Sequence, residues 1–515
     1  MSFTMLTEQN LTEMERSRES YWRRYPKTSP SKLRWRALTV RHCFHVLPGE
    51  TLLELGAGSG VWTEHLDEVL KGRNPITAAY FNEEYRNSPV WRRLRNVNSC
   101  LVERLEDLPA ESYDYVVGTA ILCHNRFSEN LKSILRLLKP GGQILFFENN
   151  LLNPQVFLKN AIPALGRSLG NAGCQVGLSK FNFLRSASHQ GFVDIDVIPY
   201  DIVHPSLPKW LVFKLQSLAF LFERAPLIRD LCGTLYLWAR KPGTDRSRAG
   251  VNLARHSEFY NAVSFVIPSH NEEMNVGPLT DAIFRHFGDY VHEILIVNDN
   301  SEDATEEVTR AISKREPRVK LINRQPPGGV GRALRDGYAA ATGAYILSMD
   351  CDFVQIIPEI EDLFDAVAAG YDGAVGSRFT HESIMMNYPF PKTLCNRIFH
   401  LLANLTLPYH IRDISNNLKL FRAHVLKRME ITQPHFAANA EIGLKAIASG
   451  YKVKEVPVSW INRTIEMGSS SFRILKVGPN YALALFDVIR SGRRLALARQ
   501  AETASGGRLG VDDHM

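Results

Sequence analysis

The chain has 515 residues, 45% hydrophobic and 22% charged, long enough for two ordinary domains and too apolar for a disordered or fibrous protein. Its net charge of +7 is small for this length, and its Lys and Arg are scattered rather than gathered in a stripe, which argues against a nucleic-acid partner. The seven cysteines are odd in number and form no CxxC pair, a pattern of reduced thiols in a cytoplasmic protein.

The opening residues, MSFTMLTEQNLTEMERSRESYWRRYP, are polar and lack the apolar core of a signal peptide, so residues 1–34 are expected to be a helical extension. The run TLLELGAGSGVWTEHL then reads as a buried strand, a tight glycine turn and a helix beginning near Trp62. Gly56, Gly58 and Gly60 would let the backbone turn sharply against a ligand, with the Glu54 carboxylate beside it. Further along come SYDYVVGTAILCHN, LLKPGGQILFFENN, GFVDIDVIPYDIVHP and GTLYLWARKP, apolar strand-like runs alternating with helical stretches. The most apolar stretch, Leu211 to Trp238, is interrupted by Lys214, Glu223, Arg224, Pro226, Arg229 and Asp230, so no membrane-spanning helix is expected.

In this order the segments resemble the class I S-adenosylmethionine-dependent methyltransferases over residues 35–242. The resemblance implies a Rossmann-like sheet closed by an antiparallel hairpin. It implies that Glu54 and the backbone of Gly56, Gly58 and Gly60 hold the amino-acid part of S-adenosylmethionine. In the second strand, ITAAYFNEEY places Asn82 or Glu83 where the family has a ribose-binding acid, and VERLEDLP places Glu103 and Arg104 at the adenine position. Methyl transfer is driven largely by positioning. His124 is either a base or part of the pocket wall, and Glu148 is expected in a substrate-contacting or structural role.

Residues 243–261 are polar, basic and rich in Gly, Ser and Arg, and read as a linker. Beyond them VSFVIPSHNEEMNVGPLTDAIF is a strand whose polar turn, with Asn271, Glu272 and Glu273, opens a helix. The strand of EILIVNDNSEDATEEV ends in Asp299, and GGVGRALRDGYAAATGAYILSMDCDF leads to Asp350 and Asp352. Carboxylates at three successive strand ends of a parallel sheet converge on one crevice. There Asp350 and Asp352, flanking Cys351, are suited to a magnesium or manganese ion that neutralises a diphosphate leaving group.

Residues 262–480 resemble the family 2 glycosyltransferases, and within them the dolichyl- or polyprenyl-phosphate mannose synthases, on PSHNE, VND, DCD, GSRF, the DISNNLKLFRA stretch from Asp413, and EIGLKAIASGYKVKEVPVSWINR. The implied fold is a GT-A type nucleotide-diphospho-sugar transferase domain, making the whole an α/β protein of two domains. The implied donor is GDP-mannose or a similar nucleotide sugar, and the acceptor a lipid phosphate or a glycan. Pro268, His270, Glu272, Val297, Asp299 and Cys351 would bind the nucleotide sugar with Asp350 and Asp352, while Arg378 and Arg463 would counter phosphate charge. Phe353 and Val354 intervene before Gln355, the third metal-side residue. Serines 469–471 stand where the family has a Lys, so Arg473 or Lys476 would replace it.

Residues 481–515 combine apolar positions with Arg and Lys as an interfacial helix would, then end in a disordered tail, so the protein is expected in the cytoplasm, peripheral to the membrane. The reading is a bifunctional enzyme that transfers a methyl group and a sugar. The alternative is a glycosyltransferase acting on a soluble or growing glycan, its N-terminal half a binding or scaffolding module.

Overall fold

Apolar strands assemble into two seven-stranded sheets, one in each of two units that divide between Ala249 and Gly250. The computed structural model describes residues 5–122, 127–162, 177–201, 228–243, 251–380, 382–386, 390–461 and 478–490.

The first unit opens with helices α1 (Met5–Arg24) and α2 (Ser29–Phe44), and one helix therefore runs across the boundary expected at residue 35. Its strands are β1 (Leu52–Leu55), β2 (Ile76–Tyr80), β3 (Val97–Leu101), β4 (Tyr113–Thr119), β5 (Leu138–Asn149), β6 (Val193–Tyr200) and β7 (Thr234–Arg240). They lie in the order β3-β2-β1-β4-β5-β7-β6. The first five are parallel, and β7 pairs antiparallel with both β5 and β6, which is the closing hairpin read from sequence. Leu52 to Leu55 and all of β4 are buried, as expected of central strands covered on both faces. The strand order reverses between β1 and β4, and ligands of open α/β sheets bind at such a switch point.

In the second unit the strands are β8 (Val263–Ser269), β9 (Val291–Asn298), β10 (Val319–Asn323), β11 (Tyr345–Ser348), β12 (Gly373–Ser377), β14 (Lys419–Arg422) and β15 (Val453–Pro457), in the order β10-β9-β8-β11-β14-β12-β15. A separate pair joins β13 (Met385–Met386) to β16 (Trp460–Ile461). The strands β10, β9, β8 and β11 are parallel, and β14 runs against both β11 and β12. The switch point lies between β8 and β11, with the Asp350–Asp352 turn just past it. Residues 251–261, expected as linker, pack on this unit: Phe259 is fully buried against Tyr290, Tyr345 and Phe364, and the Leu253 amide donates to the His286 carbonyl. Among the described residues no helix is long and apolar enough to cross a membrane. Most of the Leu211–Trp238 stretch lies outside the described residues.

Candidate active sites

The glycine loop of the first unit follows β1 directly. Gly56, Gly58 and Gly60 have φ of 72°, 56° and 85°, the left-handed region where a Cβ is costly, and the helix Val61–Val69 starts at once. Side chains close over all three. A Cβ on Gly56 would lie 2.7 Å from the Ile121 side chain, on Gly58 2.5 Å from Glu19 Oε1, and on Gly60 2.5 Å from the Trp91 ring.

Helix α1 supplies most of the polar cover. Glu15 accepts the Gly58 amide at 2.9 Å through one oxygen and the Phe81 amide at 3.0 Å through the other. Glu19 accepts the Ser59 hydroxyl at 2.5 Å, and Arg18 donates to the Thr119 carbonyl at 3.2 Å. Burial pushes the Glu15 carboxyl up to about 7, against the pull of Arg18. Sequence reading missed these residues; the only trace is an acid, a base and an acid at 15, 18 and 19, spaced to share one helix face.

Glu54 sits within β1, 1% exposed, with Oε2 lacking a hydrogen-bond partner. Burial raises its carboxyl to about 7, partly offset by the Thr63 hydroxyl and Arg18. Of the two ribose-site alternatives, Asn82 is buried and accepts the Glu84 amide at the head of a short turn, whereas Glu83 is exposed and pairs with Arg86 at 2.9 Å. Glu103 is exposed. Glu148 Oε1 accepts the amides of Ile121 and Leu122 at 2.9 and 3.0 Å, pinning the turn after β4, and burial pushes its carboxyl up to about 7. His124 lies outside the described residues.

In the second unit the expected donor residues gather along the carboxyl edge of β8, β9 and β11, and two of them have buried side chains. The Val297 side chain is fully buried in the core, where Gly337 of the helix Val330–Ala340 meets it, because alternate strand residues face opposite ways. Cys351 is 1% exposed and burial drives its thiol well above the usual range, so it packs inward between the two aspartates.

The remaining groups are tightly held. The Asp299 carboxylate accepts the Gly329 amide at 2.6 Å and pairs with Arg324, while its carbonyl meets His270 Nδ1 at 2.9 Å. Glu272 takes Asn275 Nδ2 at 2.5 Å, and its own amide donates to Thr305 Oγ1. Pro268 is half-buried on β8, in register with Val297.

Asp350 accepts Asn417 Nδ2 at 2.8 Å, and Asn417 Oδ1 is a buried oxygen with no hydrogen-bond partner. Two carboxylates and an amide oxygen make a hard donor set that fits magnesium or manganese. Among the described residues no three His, Cys, Asp or Glu cluster for a metal, so such an ion would take its other ligands from the substrate or solvent. The side chain of Gln355 and all of Arg463, Arg473 and Lys476 lie outside the described residues.

Arg378 reaches Asp413 through Nε at 2.7 Å and Nη2 at 3.2 Å, and Ser415 Oγ at 3.0 Å. Burial opposes ionisation of Asp413, yet Arg378 holds its carboxyl well below the usual range. Asn396, on the helix Phe390–Thr406, donates to Asp413 and Ser415 from the other side. Lys419, fully buried near Asp413, Arg378 and Asp350, is pushed down to about 7 by burial.

Residues 22–168 match the family model described as a methyltransferase domain, and residues 264–429 the model of glycosyl transferase family 2. The chain joins a methyltransferase domain to a family 2 glycosyltransferase domain. The glycosyltransferase domain is similar to a polyprenol monophosphomannose synthase of Mycolicibacterium smegmatis, 29% identical over 246 residues, covering 45% of this chain and 88% of that protein. It is also 32% identical over 201 residues to a dolichol-phosphate mannosyltransferase of Pyrococcus furiosus, covering 38% of this chain and about half, 56%, of that one. Among solved structures, a glucosyl-3-phosphoglycerate synthase from Mycobacterium tuberculosis in complex with uridine diphosphate is 14% identical with a TM-score of 0.36, covering 44% of this chain and 80% of that one. An S-adenosylmethionine-dependent methyltransferase from Thermotoga maritima is 17% identical with a TM-score of 0.31, covering 45% of this chain and 99% of that one.

Proposed function

We propose that the glycosyltransferase domain transfers a sugar from a nucleotide-diphosphate donor, GDP-mannose or similar, to a polyprenyl phosphate at a membrane surface, and that the methyltransferase domain transfers the methyl group of S-adenosylmethionine. The names of the relatives support the sugar transfer.

The observation that carries the lipid acceptor is an apolar face on the helix Phe390–Thr406. Asn396 and Arg397 tie this helix to the 411–415 loop that holds Arg378, Arg397 donating to the Arg412 carbonyl at 2.7 Å. Its opposite side exposes Leu394, Ile398, Leu401, Leu402 and Leu405, at helical spacing. The helix 478–490, joined to it by the Phe399–Tyr481 ring contact, buries Ala484 and Val488 and exposes Leu483, Phe486 and Ile489. An apolar face of this extent is costly in water and suits the acyl boundary of a bilayer. The helix 478–490 thus shows solvent an apolar side.

In the reaction a phosphate oxygen of the acceptor, already ionised, attacks the anomeric carbon as the bond to the nucleoside diphosphate breaks. A divalent cation held by Asp350 and Asp352 would neutralise the charge gathering on that leaving group. Asp413 keeps Arg378 aimed, and Asp299, fixed by Arg324 and the Gly329 amide, shapes the nucleotide end.

Purified protein, GDP-mannose, manganese and vesicles containing polyprenyl phosphate test the reading. Label should appear in an organic-extractable phosphodiester and the protein should float with the vesicles. Label found only on added soluble glycan would establish the alternative acceptor instead.

A further inference from the structure

Around the glycine loop, the groups a cofactor would use are already engaged by α1. The Gly58 amide comes from the loop and the Phe81 amide from just past β2, and both converge on the two oxygens of one carboxylate, Glu15. These partners are 43 and 66 residues away in sequence. Glu19 takes the next hydroxyl, Ser59, and the Arg18 guanidinium stands 2.9 Å from where a Cβ on Gly58 would be. Glu15, Arg18 and Glu19 are 0%, 6% and 6% exposed.

This is an expensive way to cap a loop. Two carboxylates are withdrawn from water against one guanidinium, whereas water or a hydroxyl would satisfy two amides at far lower cost. A closed state so assembled is poised to yield to a ligand that meets the same amides. The cost also shows in Glu15, whose carboxyl burial raises to about 7.

We propose that α1 is a built-in competitor for the cofactor site: the Glu15 carboxylate stands in for the ligand on the Gly58 and Phe81 amides, and S-adenosylmethionine enters only as α1 withdraws. The inference rests on the methyl-transfer reading of this domain. Its consequence is an apparent affinity lowered by the fraction of molecules with α1 withdrawn. Anything that captures α1 would then switch the methyltransferase domain on.

The test uses the full chain, with titration calorimetry and stopped-flow binding of S-adenosylmethionine to the native protein, Glu15→Ala and Glu15→Gln. Glu15→Ala should bind about tenfold more tightly or better, chiefly through faster association. Glu15→Gln, which sets an NH₂ against a backbone amide, should shift the same way. Hydrogen exchange on the native protein needs no variant: saturating cofactor should speed exchange of the α1 amides from residue 11 to 24.

Weaker binding by both variants while the native protein binds would make Glu15 a ligand for the cofactor and overturn the proposal, as would slower exchange of α1 on cofactor addition. Failure of native and variant proteins alike to bind millimolar cofactor would instead overturn the methyl-transfer reading, and the proposal with it.

Discussion

Three buried carboxyl groups in each domain are held in contrasting ways. In the glycosyltransferase domain three acids are matched to a cation: Asp413 to Arg378, Asp299 to Arg324, and Glu293 to Lys320 at 2.7 Å. Despite burial, its donors hold the Glu293 carboxyl down to about 2, and Asp413 is depressed as well. In the methyltransferase domain Glu15, Glu54 and Glu148 are instead raised to about 7, because burial outweighs the pull of Arg18 and of backbone amides. The first arrangement keeps Glu293 and Asp413 charged near neutral pH. The second leaves an acid surplus in the methyltransferase domain whose charged form burial disfavours.

The sharpest way to break this contrast is at the metal-side pair. Asp352→Ala should cut sugar transfer by about a thousandfold or more, since a cation at a leaving group is worth several kcal/mol. Methyl transfer by the same variant should be unchanged. Retained sugar transfer, read as nucleoside diphosphate release, would show that fixed negative charge at Asp352 is not what this edge requires.

Next in size is Asp413→Asn. It leaves a buried guanidinium without its counter-charge and should cost the glycosyltransferase domain about 3 kcal/mol in urea unfolding, with activity falling as Arg378 loses its aim. A stability equal to that of the native protein would mean the ion pair is not what holds this domain's acid charged.

The methyltransferase domain should respond to pH in the reverse sense. A carboxyl whose folded pKa lies near 7, above its unfolded value of about 4.3, binds more protons when folded. Stability from Glu54 is therefore fully present below the unfolded pKa and is lost as pH rises through about 7. Glu54→Gln, neutral throughout, should flatten that decline and be more stable than the native protein at pH 8, by on the order of 2 kcal/mol. A variant with the native slope between pH 5 and 8 would remove Glu54 from the acid surplus.

How much of this was legible in the sequence depended on how local the signal was. The strand-turn-helix around Gly56 and the aspartates past β11 are each set by a few consecutive residues, so composition and periodicity expose them, whereas the hairpin of β6 and β7 was implied by the family resemblance. The burial of the Val297 and Cys351 side chains was not legible, because it follows from strand alternation and the turn after β11 rather than from their motifs. Glu15 was invisible for another reason. On a polar helix an acid-base-acid pattern reads as a solvated face, and only the tertiary fold brings it onto amides far along the chain. Asp413 and Asn417 lay inside the DISNNLKLFRA match, but their partners Arg378 and Asp350 are 35 and 67 residues away.

The smallest expected effect separates structure from catalysis in the methyltransferase domain. Glu148 uses one oxygen, Oε1, to accept both the Ile121 and Leu122 amides. A glutamine keeps a carbonyl oxygen that can take both bonds, and it removes a carboxyl that burial already disfavours in its charged form. Glu148→Gln should therefore change unfolding stability by less than about 1 kcal/mol and leave methyl transfer intact, whereas Glu148→Ala strands two buried amides and should cost about 1–3 kcal/mol. Were Glu148 the proton acceptor, glutamine would be as damaging to turnover as alanine while sparing stability. Comparing the two variants in both measurements thus decides between a pin beneath the β4 turn and a base within the site.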